Sequence, residues 1–335
     1  MRTFKNVLIT GGCGFIGSHL VKLFTSTTDI NVTVLDSLTY AGDKNNLKDV
    51  EVEIIEIDIR NEELLKKFFE NKRFDAIIHL AAESHVDNSI SSPKEFLTTN
   101  VFGTMNLLEH ARVQHSYNPD FIFYHVSTDE VYGSLDLTGD DAFNETTAYD
   151  PRSPYSASKA ASDHFVKAYY HTYGLPIVIS NCSNNYGTHQ HREKLIPVVI
   201  ESLVNNKSIP VYGSGINKRD WLHVTDHALA IITILQKGTI GETYCVGGGN
   251  VISNLDLIKN ICKIYDSVNN SKGSENLISF VEDRKGHDLR YSIDFTKMKT
   301  ELGWSPSLSF QTGLKETVKW YTDKLKTKIK INDAV

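Results

Sequence analysis

Cysteine is scarce in this 335-residue chain. There are four, Cys13, Cys182, Cys245 and Cys262, and they lie far apart. No two form a Cys-x-x-Cys pair, which argues against a thiolate zinc site and a thioredoxin-like redox motif. A disulfide-stapled fold is not expected either, because a chain this long builds a core without staples. Four reduced, mostly buried thiols are the expectation. Long apolar runs are missing as well: none approaches the roughly 18–20 residues that cross a bilayer. Apolar residues 7–10 follow an Arg and a Lys, but the stretch is too short for a signal peptide and runs into glycines. A cytoplasmic protein is expected. An excess of one charge is also lacking. Lys plus Arg number 35 against 41 Asp plus Glu, for a formal net charge of −6. That balance supplies no global attraction to nucleic acid or anionic membrane. No internal repeat, low-complexity tract or obvious linker interrupts the chain.

What is present is material for a large core. Hydrophobic residues make up 40% and aromatics 10%, which excludes a mainly disordered chain. At about 150 residues per domain the length points to about two domains. Apolar, β-branched runs at 6–10, 31–36, 52–58, 76–80 and 121–127 alternate with helical patterns at 15–25 and 62–71. This alternation predicts an α/β fold: right-handed crossovers and a doubly wound parallel sheet of the Rossmann type, covered on both faces. Two long helical patterns, 93–114 and 154–173, carry apolar and small residues on more than one face. Two arrangements account for this: packing on the sheet and also on another subunit, or core packing alone. After Gly174 come strands at 178–181 and 243–247, a loop-rich tract at 183–192, a helix at 224–236 and a final helix near 310–325.

The first sharp motif is Gly11-Gly12-Cys13-Gly14-Phe15-Ile16-Gly17, between a strand and a helix. Its glycines at 11, 14 and 17 form a variant of the dinucleotide fingerprint. Glycine serves where a turn is tight and where backbone approaches a pyrophosphate, which the helix amino terminus then attracts. Asp36 ends the second strand, where a carboxylate accepts from ribose hydroxyls and repels a 2′-phosphate. NAD is therefore favoured over NADP. Asp58 ends the third strand, in reach of an adenine edge or merely in a turn.

The second motif is Tyr155-Ser156-Ala157-Ser158-Lys159. Tyr and Lys four apart share one helix face. A phenol with a pKa of about 10 must fall by several units to act as a base near neutrality, and Lys159 offers a fixed positive charge for that. The third motif, Ser127-Thr128-Asp129-Glu130, follows a strand carboxyl end, where parallel sheets place ligands. A hydroxyl can bond a substrate oxygen, and two adjacent carboxyls can divide acid and base work if their environments separate their pKa values.

These motifs resemble the extended short-chain dehydrogenase/reductase superfamily, and within it the nucleotide-sugar 4,6-dehydratases of the dTDP-glucose type. The resemblance rests on residues 11–20, 35–42 (LDSLTYAG), 79–88 (HLAAESHVDN), 99–104 (TNVFGT) and 125–133 (HVSTDEVYG). It continues through 153–163 (SPYSASKAASD), 181–187 (NCSNNYG), 193–197 (EKLIP), 219–222 (RDWL) and 283–291 (DRKGHDLRY). It implies NAD-dependent dehydration of dTDP-D-glucose to dTDP-4-dehydro-6-deoxy-D-glucose. Tyr155, helped by Lys159 and Thr128, would take the proton from the carbon 4 hydroxyl while hydride leaves for NAD⁺. Glu130 would remove the proton on carbon 5, Asp129 would protonate the carbon 6 hydroxyl as water departs, and the hydride would return to carbon 6.

The same resemblance assigns contacts. Cofactor positions are Gly11, Gly12, Gly14, Phe15, Ile16, Gly17, Asp36, Asp58, Ile59, Ala81, Ala82, Thr99, Tyr155 and Lys159, with Asn185 next to both ligands. Nucleotide-sugar positions are Ser84, Thr128, Asn184, Lys194, Leu195, Pro210, Tyr212, Arg219, Asn254, Arg290 and Tyr291. It implies interleaved lobes, residues 1–183 plus 222–248 for NAD and 184–221 plus 249–330 for the nucleotide sugar. It further implies a homodimer joined through a four-helix bundle of the 93–114 and 154–173 helices. The chain departs from the family pattern at Thr188-His189-Gln190-His191-Arg192, where relatives usually carry prolines and aromatics. The two histidines are expected to be exposed loop residues, with no metal. UDP-glucose dehydratases share the catalytic motifs, and thymine differs from uracil by one methyl, worth about 1–3 kcal/mol. A 4-epimerase would need the Tyr–Lys pair but not Asp129 and Glu130.

Overall fold

The structure is a computed structural model that describes residues 1–332. The first half follows the alternation of its sequence. Strands β1 (Asn6–Thr10), β2 (Asn31–Asp36), β3 (Glu53–Glu56), β4 (Ala76–His79), β5 (Ile122–Thr128) and β6 (Ile177–Cys182) alternate with helices. β7 (Asn184–Tyr186), β8 (Ile209–Tyr212) and β9 (Lys218–His223) belong to smaller sheets, as do β11 (Val251–Ser253) and β12 (Ile278–Val281). β10 (Thr243–Val246) returns to the first sheet. Its seven strands are all parallel, in the order β10-β6-β5-β4-β1-β2-β3. The order reverses between β1 and β4. A crevice opens there at the strand carboxyl ends, and this is where open α/β sheets bind ligands.

Both faces of the sheet are covered, so its strands are continuously apolar. Val7 and Ile9 enter one core beneath α1 (Phe15–Thr27), and Leu8 points into the other, under α2 (Glu62–Glu70). The predicted helix at 93–114 is divided. Short helices α3 (Val86–Ser91) and α4 (Pro93–Phe96) lead into a π-helical stretch, Leu97–Gly103, and then α5 (Thr104–Tyr117). The buried Asn100 side chain holds this wider turn in place. It accepts from the Glu83 N–H at 2.9 Å and donates to the Glu83 carbonyl at 3.0 Å and to Ser158 Oγ at 2.9 Å. Helix periodicity alone does not register such a bulge, and π turns cluster at functional sites. The predicted helix at 154–173 is unbroken as α6 (Pro154–Tyr173).

The second lobe holds most of what the sequence left unassigned. α7 (Leu195–Val204), α9 (Asn254–Asn269) and α11 (Phe310–Asn332) pack around a separate core that includes Tyr186, Trp221 and Leu314. α8 (Val224–Lys237) lies on the first sheet instead, against α1. The division at 249–330 needs one amendment. Met298 and Leu302 of α10 (Thr296–Leu302), and Trp304 after it, fill the core of the first lobe. The chain therefore crosses back once more, because those apolar side chains find their partners beside β10 and α8.

Candidate active site

The glycine cradle is tight for identifiable reasons. Gly11 has a φ of +71°, and a Cβ there would lie 2.8 Å from the Ala81 backbone nitrogen. A Cβ on Gly17 would collide with the Gly11 carbonyl oxygen, so α1 reaches the strand only because that position is bare. No side chain caps the amino end of α1 at Gly14, which leaves its N–H groups free for an anion. Asp36 sits at the end of β2 and accepts from the Cys13 N–H at 2.9 Å and the Leu38 N–H at 2.8 Å. Burial pushes its pKa up.

A cleft of about 290 Å³ runs from this cradle along the sheet. Gly11, Gly14, Phe15, Ile16, Gly17, Asp36, Asp58, Ile59, Ala81, Ala82, Thr99, Tyr155, Lys159 and Asn185 line it. Gly12 does not, since it packs behind the cradle on Val34. Asp58 lines the cleft and forms an ion pair with Arg60 of its own turn at 2.7 Å. A helix amino terminus next to a strand-end carboxylate fits the pyrophosphate and ribose of NAD.

Thr128, Asp129, Glu130, Tyr155 and Lys159 gather at the inner end of this cleft. Thr128 ends β5, and a single helical turn, Asp129–Tyr132, follows. The Glu130 N–H donates to Thr128 Oγ1 at 3.2 Å, and that hydroxyl donates to Asp129 Oδ1 at 3.3 Å. The other Asp129 oxygen is buried with no hydrogen-bond partner. Burial, then the neighbouring Glu130 and Asp220, hold the Asp129 carboxyl well above the ordinary carboxylate range. Burial raises Glu130 too, but Lys194 and Arg219 pull it back. The two neighbours are thus in different electrostatic settings.

Burial and then the Glu130 carboxylate push Tyr155 well above its usual range, with the Thr128 hydroxyl opposing. The Lys159 ammonium donates to the Val126 carbonyl at 2.9 Å. Burial lowers its own pKa.

A second cleft, of about 150 Å³, opens between the lobes and shares Ser84, Glu130, Asn184, Glu193 and Lys194 with the first. Leu195, Arg219 and Tyr291 also line it. The Arg219 guanidinium donates to the Lys218 and Asp288 carbonyls at 2.8 and 2.9 Å and lies 4.1 Å from the centre of the Tyr291 ring. Lys194 Nζ donates to the Ser84 carbonyl at 2.9 Å. His85, Glu193, Arg284, His287 and Asp288 line this cleft too, and sequence reasoning did not assign them. The signal was available, since three of them lie in the DRKGHDLRY segment, of which only the last two residues were taken.

Four expected contacts lie outside the lining of both clefts: Pro210, Tyr212, Asn254 and Arg290. Pro210 is exposed on β8, and the Tyr212 ring lies 5.5 Å from the Arg284 guanidinium at the rim. Asn254 opens α9 and donates its N–H to the Asn217 carbonyl. Arg290 points away, its guanidinium capping the carbonyls of Asp136 at 2.6 Å and Asp141 at 2.9 Å. In this extended stretch, bridged to Leu135 and Lys218, adjacent side chains take opposite faces, so Tyr291 meets the cleft and Arg290 does not. His189 also departs from expectation. It is half-buried with a φ of +66°, bonded to Asn46 at 2.8 Å and packed on Trp320 at 4.8 Å. The loop is therefore clasped between α1, the 44–47 turn and α11. Among the described residues no cluster of three or more His, Cys, Asp or Glu is placed to hold a metal ion. No described helix is long and apolar enough to cross a membrane.

A cofactor cleft walled on one side by glycines and on the other by a helix bearing Tyr and Lys one turn apart places the protein among the short-chain dehydrogenases/reductases. The comparisons narrow this. The family model described as GDP-mannose 4,6 dehydratase matches residues 8–317. A dTDP-glucose 4,6-dehydratase of Neisseria gonorrhoeae is 48% identical over 95% of this chain and 96% of its own. A dTDP-glucose 4,6-dehydratase structure from Streptomyces venezuelae, with NAD bound, superposes with a TM-score of 0.86 at 43% identity, covering 95% of this chain and 97% of that one. A UDP-glucose 4-epimerase of Thermotoga maritima reaches the same TM-score at 28% identity, over 96% of this chain and 99% of its own. The chain belongs to the dTDP-glucose 4,6-dehydratase family.

Proposed function

We propose that the protein removes water from dTDP-D-glucose to give dTDP-4-dehydro-6-deoxy-D-glucose, with NAD in the first cleft and the nucleotide sugar in the second. One observation carries this beyond the shared fold. Two adjacent carboxyls stand in the wall of the cofactor cleft, Asp129 raised well above its ordinary value by burial and by Glu130, and Glu130 raised by burial but opposed by Lys194 and Arg219. An epimerase has no use for that pair.

The glycine cradle and the amino end of α1 would hold the cofactor pyrophosphate, and Asp36 its ribose. Bound there, NAD⁺ supplies the hydride acceptor for carbon 4, the later donor to carbon 6, and a positive ring that favours the tyrosinate. Tyr155 takes the proton of the carbon 4 hydroxyl, with Thr128 bonding the same oxygen and Lys159 adding positive charge. The resulting ketone acidifies carbon 5. Glu130 removes that proton, while Asp129 gives its own to the carbon 6 oxygen, which leaves as water. Glu130 then returns a proton to carbon 5 as carbon 6 is reduced. Lys194, Arg219 and Arg284 converge on the second cleft as cations for a diphosphate.

The lobes divide this work: residues 1–183 and 222–248, joined by 296–304, bind NAD, and 184–221 with the remainder of 249–330 bind the nucleotide sugar. The protein acts as a homodimer in the cytoplasm, where its four buried thiols stay reduced. Incubation with dTDP-glucose deuterated at carbon 4 tests the reaction. A 4-keto-6-deoxy product carrying the label on carbon 6, formed faster than from UDP-glucose, is expected by NMR. Recovery of a 4-epimer alone would overturn the reading.

A further inference from the structure

Behind Lys159 lies a polar cluster that the reaction scheme leaves unused. Its centre is Asp163, fully buried one helical turn beyond Lys159 on α6. One carboxylate oxygen accepts from Ser127 at 2.9 Å, from Tyr149 at 2.8 Å and from Asn181 at 3.3 Å. The other oxygen lies 3.1 Å from His125 Nε2. The same ring nitrogen is 3.4 Å from the Lys159 ammonium. His125 is itself fully buried, and burial lowers its pKa to about 4, so the ring is neutral. A buried carboxylate and a buried ammonium therefore meet at one nitrogen of a neutral imidazole, whose other nitrogen has no hydrogen-bond partner.

This arrangement differs from a structural tie. Three donors already satisfy one Asp163 oxygen and fix the β5–β6–α6 junction. The second oxygen makes no hydrogen bond and lies against the histidine nitrogen that the lysine also approaches. Burying an ammonium is costly unless a counter-charge is close. We propose that Asp163, acting beside His125, is a positioning residue for the reaction: it is the counter-charge that keeps the buried Lys159 ammonium charged and placed beside Tyr155. The inference rests on the role given above to Lys159.

The other groups around the ammonium do not replace Asp163. His125 on β5 is neutral. His79 on β4, its ring 5.3 Å from that of His125, is held neutral by burial and bonded to Thr10 and Thr104. Cys182 on β6 is pushed up to about 12 by burial. On α6 itself, Tyr155 is raised well above its usual range. Burial lowers Lys159, and Asp163 is the first group that opposes this. The sign follows. Removing the carboxylate leaves desolvation less opposed, so Lys159 loses its proton at lower pH and Tyr155 loses its helper.

The test is the pH dependence of kcat in the full-length enzyme and three variants. Lys159→Met checks the underlying reading: if it turns over like the wild type, the role of Lys159 fails and this inference with it. Given a Lys159→Met enzyme without turnover, Asp163→Asn is expected to move the alkaline limb down by about 1 pH unit or more, the scale of a close opposite charge. Asp163→Glu is expected to restore most of it. An alkaline limb left in place, with only its amplitude reduced, would overturn the counter-charge role while sparing that of Lys159. Should Asp163→Asn not fold, two neighbours decide. Tyr149→Phe deletes a hydrogen bond but keeps the charge and is expected to hold the limb. His125→Gln removes the ring nitrogen at which the two charges meet and is expected to shift it. The same limb in both would overturn the proposal.

Discussion

At the scale of single residues the site works by placing like groups in unlike surroundings. Asp129 and Glu130 are neighbours in sequence, with ordinary pKa values within about half a unit. Burial and two neighbouring carboxylates raise Asp129 well above its ordinary value with only Arg219 as an opposing cation, whereas burial raises Glu130 against both Lys194 and Arg219. Replacing Glu130 by Gln should therefore slow elimination by about 10²–10⁴-fold, the usual size of a lost proton transfer. Oxidation at carbon 4 should survive, visible as NADH absorbance in a single turnover. Equal loss of both steps would contradict the division of roles. These five groups were legible because Thr-Asp-Glu and Tyr-x-x-x-Lys are contiguous or one helical turn apart. Arg290 lies outside the cleft, and Arg284 and His287 of the same segment line it, because sequence does not say which face of an irregular extended segment meets a cleft.

At the scale of elements, α6 is the part on which the chemistry hangs. It carries Tyr155, Lys159 and Asp163, and a reciprocal cap fixes its start. Ser153 Oγ accepts from the Ser156 N–H at 3.1 Å, and Ser156 Oγ accepts from the Ser153 N–H at 2.9 Å. Pro154 follows at the first helical position, where its missing N–H costs nothing. Ser153→Ala should lower stability by about 1 kcal/mol in urea unfolding. It should also reduce kcat, since Tyr155 lies in the first turn, where fraying is greatest. An unchanged midpoint and rate would show that the cap is dispensable. The strands and helices of the first lobe could be read to within a few residues because their periodicity is strong. The π stretch at Leu97–Gly103 could not, since one extra residue in a turn leaves the apolar pattern nearly intact.

At the scale of the molecule, the helices expected to pair with a second copy do expose apolar surface. Phe102, Val113, Tyr117, Phe165 and Tyr173 are all more than a third exposed, and all lie on the Leu97–Gly103 stretch, α5 or α6. Solvent contact for so many large side chains on adjacent helices is unfavourable unless a partner covers them. Light scattering is expected to give twice the 37.6 kDa chain mass, and Phe102→Glu with Phe165→Glu to shift it toward monomer. A wild type that scatters at the chain mass would remove the homodimer from the proposal.

The sparse, scattered cysteines and the lack of long apolar runs already favoured a large, unstapled core. Strand–helix alternation was enough for the doubly wound sheet, and glycine spacing, strand-end carboxylates and a Tyr–Lys helix face for the choice of NAD and for the five groups, Thr128, Asp129, Glu130, Tyr155 and Lys159, that line one cleft. Each depends on backbone geometry or spacing within one or two turns of chain, which sequence records directly. The tertiary structure decided the remainder: that Tyr291 and not Arg290 meets the cleft, that residues 296–304 return to the first lobe, that His189 is clasped, and that Asp163 and Lys159 meet at one nitrogen of His125. Those facts depend on segments distant in sequence meeting in space. Their energies come from burial and charge at the meeting point, which no local pattern of residues contains.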